Sequence, residues 1–125
     1  MKSLLLSLGI LITVISVSVF GAFFTDRQLE RFSRTISEAI PDEATSTESI
    51  HDGAVKIEEE YESLRKYIIL FIHDDGVREI EEHISDIKSS ADADEFGDAM
   101  TAKSRLILHI KQLRRLSKFS AEAIF

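Results

Sequence analysis

The chain begins with an unbroken apolar segment, and the rest carries apolar residues at helical spacing. No charged residue occurs from Ser3 to Thr25. About twenty such residues in a helix span roughly 30 Å, the thickness of the hydrocarbon core of a bilayer. Within lipid the backbone must satisfy its own hydrogen bonds, which favours a helix. Residues 1–25 are therefore predicted to form a transmembrane anchor.

A cleaved signal peptide is the alternative reading of this segment. Signal peptides have shorter apolar runs, of about 7–15 residues, that end in small residues. Val19-Phe20-Gly21 is a poor cleavage site, and Phe23 and Phe24 extend the apolar run. We therefore favour an uncleaved anchor, with a secreted helical protein as the alternative.

Charge gives little guidance on the orientation of this anchor. One basic residue, Lys2, precedes the segment, and three arginines follow it closely. The positive-inside rule is reliable only for short loops, and about 100 residues follow here. We expect a single-pass protein of the cell membrane whose soluble part is extracytoplasmic.

Residues 26–125 place apolar side chains at steps of three and four, which is the period of a helix. The pattern predicts helices over about 26–40, 46–72, 76–90 and 94–118. Pro41 ends the first, because the residue before a proline avoids helical angles. The expected fold is all-α: an N-terminal transmembrane helix followed by an antiparallel bundle of three to four helices.

Two further expectations concern packing. The second helix carries a heptad seam from Ile50 to Phe71 that could pair with its own bundle or with another chain. Ile68 to Ile72 are all apolar, which predicts the centre of the core there, and Ile124 and Phe125 are expected to fold back onto the bundle.

Polar residues at the junctions predict helix caps. Thr45 with Glu48 three residues later has the form of a capping box. Asp74 or Asp75 is expected to cap the third helix, and Asp92 and Asp94 are the candidates for the fourth.

Composition excludes several functions. The sequence contains no cysteine, which rules out disulfides, thiolate metal sites and a cysteine nucleophile. Residues 26–125 hold 14 basic and 22 acidic residues, a formal charge of −8, so no nucleic-acid partner is expected. Ala99 to Phe125 are basic and Asp42 to Asp98 strongly acidic, which predicts that the last helix packs against acidic neighbours.

Few residues suggest site chemistry. His73, Asp74 and Asp75 form a polar cluster, which we interpret as a helix corner rather than a metal or catalytic site. Glu79 and His83 share a helix face at a spacing of four, which is typical of a surface contact.

Two other patterns are weaker. Glu48 and His51 match one half of a bundle di-metal motif, but the second half is missing. The basic residues of Lys111 to Lys118 suit either salt bridges or an anionic lipid surface. No catalytic, cofactor-binding or metal site is predicted, and no enzymatic activity is expected.

The order of features resembles the small bacterial proteins grouped as domain of unknown function 4363. The resemblance lies in Leu70-Phe71-Ile72-His73-Asp74-Asp75, then Val77-Arg78-Glu79-Ile80-Glu81, and Ala123-Ile124-Phe125 at the end. Tyr61 or Tyr67 stands where the family usually has tryptophan, and Ala123 replaces its asparagine. The resemblance implies an anchored, helical, extracytoplasmic protein without known catalytic residues.

We therefore expect a membrane-anchored interaction or structural module. Its predicted partners are the lipid bilayer, through the N-terminal helix, and an unidentified protein or a second copy of the chain. A ligand- or ion-sensing module that uses His73 to Asp75 is the alternative.

Overall fold

Four helices account for most of the chain. The structure, a computed structural model, describes the backbone of residues 1–124 and the side chains of residues 1–119. The helices are α1 (Lys2–Ala39), α2 (Thr47–Ile68), α3 (Asp74–Asp92) and α4 (Phe96–Ile124). No strand occurs within residues 1–124, so the all-α prediction is confirmed.

The helices pack as an antiparallel bundle in chain order. α1 contacts α2, α2 contacts α3, α3 contacts α4, and α4 returns to α1. Two ion pairs fix the direction of α4, since Lys103 pairs with Asp42 and Arg114 pairs with Asp26. The carboxyl end of α4 and the α2–α3 connection therefore lie at the end of the bundle from which the apolar half of α1 emerges.

α1 is a single helix of 38 residues. Its first half is apolar and long enough to cross a membrane, and only 6% of its most apolar 18-residue window is buried. Its second half presents a buried stripe to the bundle, formed by Leu29, Phe32 and Ile36. The helix ends at Ala39, two residues before Pro41, as the proline predicts.

The core is built from one apolar stripe per helix. Most of the α2 seam is buried inside the bundle, so it is occupied by the chain's own helices rather than left free for a second chain. The buried core residues are Leu29, Phe32, Ile36, Ile40, Ile50, Ala54, Ile57, Tyr61, Leu64, Ile68, Val77, Ile80, Ile84, Ile87, Ala91, Ala99, Ala102, Leu106, Ile110 and Leu113.

The predicted centre of the core at Ile68 to Ile72 is wrong. α2 ends at Ile68, four residues earlier than expected, and the chain turns there through hydrogen bonds between residues three apart, such as Phe71 N to Ile68 O. Ile68 is fully buried, but Leu70 is 75% exposed and Phe71 is 44% exposed. The turn takes these side chains out of the bundle and leaves them at its end.

The caps differ from the predicted ones by a residue or two. Ser46, not Thr45, caps α2 and accepts a hydrogen bond from Ser49 N. Asp94 has a left-handed φ of 58° in the α3–α4 turn, where its carboxylate accepts from Thr47 Oγ1 at 2.6 Å. Asp94 links the α3–α4 turn to the start of α2 instead of capping α4, and α4 begins at Phe96.

The end of α4 extends beyond the expected boundary. The helix continues to Ile124 rather than stopping near residue 118. The predicted return of the Ile124 and Phe125 side chains onto the bundle lies outside the described part of the chain.

Candidate functional site

The polar corner starts α3. His73 is the N-cap, and its Nδ1 accepts a hydrogen bond from Asp75 N at 3.3 Å. Asp74 and Asp75 occupy the first helical turn instead of the cap. There their negative charges interact favourably with the positive end of the helix dipole. The His73 and Asp75 side chains are 83% and 81% exposed, so the corner holds no enclosed site.

A second polar cluster lies between α3 and α4. The His–Glu–His cluster consists of His83, Glu79 and His109. His83 Nε2 is 3.6 Å from Glu79 Oε1, and His109 Nδ1 is 3.4 Å from Glu79 Oε2. The two imidazole ring centroids are 5.8 Å apart, and the His109 side chain is only 7% exposed.

The surroundings of His109 determine where its protons lie. Its Nε2 is 2.9 Å from the carbonyl oxygen of Gly76, which can only accept a hydrogen bond, so Nε2 carries a hydrogen. Its Nδ1 faces Glu79, which as a carboxylate also only accepts. His109 of α4 therefore contacts α3 through both ring nitrogens.

The cluster borders a groove that is also lined by α1 and the α2–α3 turn. The groove has a volume of about 630 Å³, and the polar groups along it include His73, Asp75, Glu79 and His109. Each imidazole of the cluster faces a different oxygen of Glu79, and no group of metal-ligating side chains suited to an ion occurs among the described residues. The geometry suits a hydrogen-bonding ligand better than a metal.

The sequence indicated only part of this cluster. Glu79 and His83 share a face as predicted, and the Glu79 side chain is 52% exposed. His83 is not a simple surface residue, because it is 16% exposed and its Nδ1 is buried without a hydrogen-bond partner among the described residues. His109 was missed because it lies on another helix. The only signal for it is its position next to buried Ile110 on the α3-facing side of α4.

The other predicted patterns form no site. His51 Nδ1 lies 2.9 Å from Asp92 Oδ1, across the α2–α3 interface, rather than against Glu48. This pairing is a half-exposed contact between helix ends, and it brings no second Glu-x-x-His motif to the bundle interior.

The basic end of α4 divides between packing and exposure. Arg114 Nε donates to Asp26 Oδ1 at 2.9 Å, and Asp26 raises the pKa of the Arg114 guanidinium. Lys103 Nζ donates to Asp42 Oδ1 at 2.7 Å, which lowers the pKa of that carboxyl. The basic helix does pack against acidic neighbours, while Lys111, Arg115 and Lys118 remain exposed.

Comparison with protein-family models, curated proteins and solved structures finds no match for this chain. The resemblance to domain of unknown function 4363 accordingly stays a prediction, and the functional argument depends on the geometry alone.

Proposed function

We propose that the chain is a single-pass, membrane-anchored helical module that serves a structural or protein-interaction role at the extracytoplasmic membrane surface. One observation carries the proposal. The apolar half of α1 is exposed along its length and continues without a break into the bundle. A buried core helix would not leave such a surface in water, whereas a membrane helix requires it.

The bundle supports an interaction role more than catalysis. Its apolar stripes are occupied internally, so a protein partner would meet the polar outer faces. Between α1 and α2 these faces form a groove of about 350 Å³ lined by residues of both charges, including Arg31, Arg34, Glu38 and Glu60. A mixed-charge groove of this kind selects partners by complementary charge more than by apolar burial.

Membrane extraction tests the anchor. We expect the full-length protein to stay in the membrane fraction after alkaline carbonate washing and to retain its original N-terminus. Release into the soluble fraction, or a mature chain that begins at Ala22, would support the secreted alternative instead.

Orientation and partner need separate measurements. Because the sequence has no cysteine, Glu59→Cys on the exposed face of α2 provides a unique label. We expect a membrane-impermeant thiol reagent to label it in intact cells; labelling only after lysis would reverse the orientation.

Crosslinking in native membranes should then recover a specific protein, and a bundle that crosslinks to nothing would argue against the interaction role.

The His–Glu–His cluster favours a second candidate, an extracytoplasmic sensing module. His109 is buried between Glu79 and the Gly76 carbonyl beside a groove, so a bound ligand would act on the α3–α4 contact. Calorimetric titration of the full chain in micelles with zinc, manganese and iron tests whether the ligand is a metal ion. Heat that disappears in Glu79→Gln would support metal sensing, and no heat with any of the three would exclude these metals.

A further inference from the structure

The membrane end of the bundle exposes an unusual number of large apolar side chains. The last turn of α2, the α2–α3 turn and the last described turns of α4 contribute them together, and each is between 43% and 75% exposed. We call them the apolar end patch; its members are Tyr67, Ile69, Leu70, Phe71, Leu116 and Phe119. Exposed apolar groups clustered at one end mark a surface that contacts something other than water.

Contacts with α1 fix the level of this patch along the apolar helix. The Phe71 ring packs directly against Gly21, where a side chain would collide with it. Tyr67 packs edge to face on Phe24, with ring centroids 5.9 Å apart. The α2–α3 side of the patch therefore contacts α1 at residues 21–24, inside the apolar segment rather than beyond it.

The length of α1 relates that level to a bilayer. Twenty residues from Ser3 cover about 30 Å and reach Ala22, so the hydrocarbon boundary falls beside Gly21. The exposed side chains Phe20 and Phe23 of α1 continue the patch at the same height. A bundle placed wholly in water would require the hydrocarbon boundary to lie nearer the N-terminus of α1. Both the apolar end patch and the side chains of Phe20 and Phe23 would then be exposed to water.

Charged residues border the patch in the manner of an interfacial surface. Arg115 and Lys118 alternate with the apolar residues of α4 and are exposed. Their long side chains can reach lipid phosphates while their aliphatic parts stay in the apolar layer. Asp74 and Asp75 follow the turn directly and are exposed, so α3 itself does not insert.

We propose that the apolar end patch inserts into the interfacial layer of the bilayer that α1 spans. The bundle then rests on the lipid through the α2–α3 turn and the end of α4, and does not stand clear of it on α1 alone. This inference rests on the proposed anchor. The occupant is lipid rather than a second copy, because Phe71 and Tyr67 contact α1 at Gly21 and Phe24, the level of the bilayer boundary.

Single tryptophans test the proposal, because the sequence contains none. The full chain is reconstituted at low density in phosphatidylcholine–phosphatidylglycerol vesicles with brominated acyl chains. Leu70→Trp and Phe119→Trp report on the patch, Ile12→Trp reports on the anchor, and Phe96→Trp at the opposite end of the bundle is the control in water. We expect the bromines to quench both patch reporters and Ile12→Trp, but not Phe96→Trp.

The outcomes separate the inference from its premise. If Ile12→Trp is quenched while Leu70→Trp and Phe119→Trp behave like Phe96→Trp, the anchor stands and the inserted patch is overturned. If Ile12→Trp is not quenched, the proposed anchor fails and the patch proposal fails with it. Patch reporters that are shielded from both bromine and aqueous iodide, but only at high protein density, would assign the patch to a second copy and also overturn it.

Discussion

Gly53 offers a direct test of how α2 meets the end of α1. It is buried in α2, and a Cβ atom placed on it would lie 2.6 Å from Ile40 Cγ1 and closer still to the backbone oxygen of Ala39. Ordinary contacts begin near 3.4 Å, and the Ala39 oxygen belongs to the last turn of α1. The whole end of α1 would therefore have to move, because the nearest atom is a backbone oxygen, which cannot rotate away as a side chain could.

Two effects of opposite sign decide the outcome of Gly53→Ala. Alanine raises helix propensity and stabilises α2 by about 1 kcal/mol. Overpacking against a backbone that cannot yield costs about 1–3 kcal/mol, and the short distance favours the upper part of that range. We expect a net loss of about 1–2 kcal/mol in the free energy of unfolding, and each kcal/mol lowers Tm by about 4–8 °C at this size.

Thermal unfolding of the full chain in micelles, followed by helical circular dichroism, measures this loss. Gly97→Ala is the matched control, since Gly97 lies in α4 with no atom within 4 Å of its added Cβ. We expect this variant to keep or slightly raise Tm. A Gly53→Ala protein as stable as the wild type would show that α1 and α2 do not approach each other as closely as described.

Three further predictions concern other parts of the bundle. Tyr61→Phe removes the 2.8 Å hydrogen bond to Glu81 and should cost about 0.5–1.5 kcal/mol in urea unfolding. Burial and Glu81 raise the pKa of the Tyr61 phenol in the folded state. The phenol therefore contributes its full stability below pH 10.0, and this stability is lost as pH rises through the folded-state pKa. Tyr61→Phe should thus flatten the fall of Tm at alkaline pH, and an unchanged slope would contradict this. Asp42→Asn removes the partner of buried Lys103 and should lower Tm at neutral pH. Because Lys103 lowers the pKa of Asp42, the difference in Tm from the wild type should disappear as pH falls through 3.8 and below. A difference in Tm that stays constant with pH would refute the ion pair. Ile80→Ala, at a fully buried position, should cost about 2–5 kcal/mol in urea unfolding, and a loss below about 1 kcal/mol would place Ile80 outside the core.

The helical stripes could be predicted because a buried face repeats with the period of the helix itself. Leu29, Ile57, Ile84 and Leu106 all lie on predicted stripes and all are buried. This information is local, and it gives the number, order and inner face of the helices without any knowledge of how they are arranged.

The failures concern information that is not local. The apolar run at Ile68 to Ile72 has the composition of a core, yet the turn after Ile68 exposes Leu70. Composition cannot distinguish an apolar side chain buried in the core from one exposed at the end of the bundle. His109 was missed for a similar reason, since only the antiparallel packing of α4 on α3 brings it to Glu79.

The absence of a break in Lys2–Ala39 has a mechanical consequence. With the proposed anchor in a bilayer, where transmembrane helices tilt by about 20° on average, the bundle would lean with α1. The roughly 16 residues beyond the proposed span give a lever of about 24 Å, so such a lean would carry the loop after Ile40 sideways by about 8 Å. Anything that grips that distal loop would therefore reorient the helix inside the lipid, and a change in bilayer thickness would swing the loop in return.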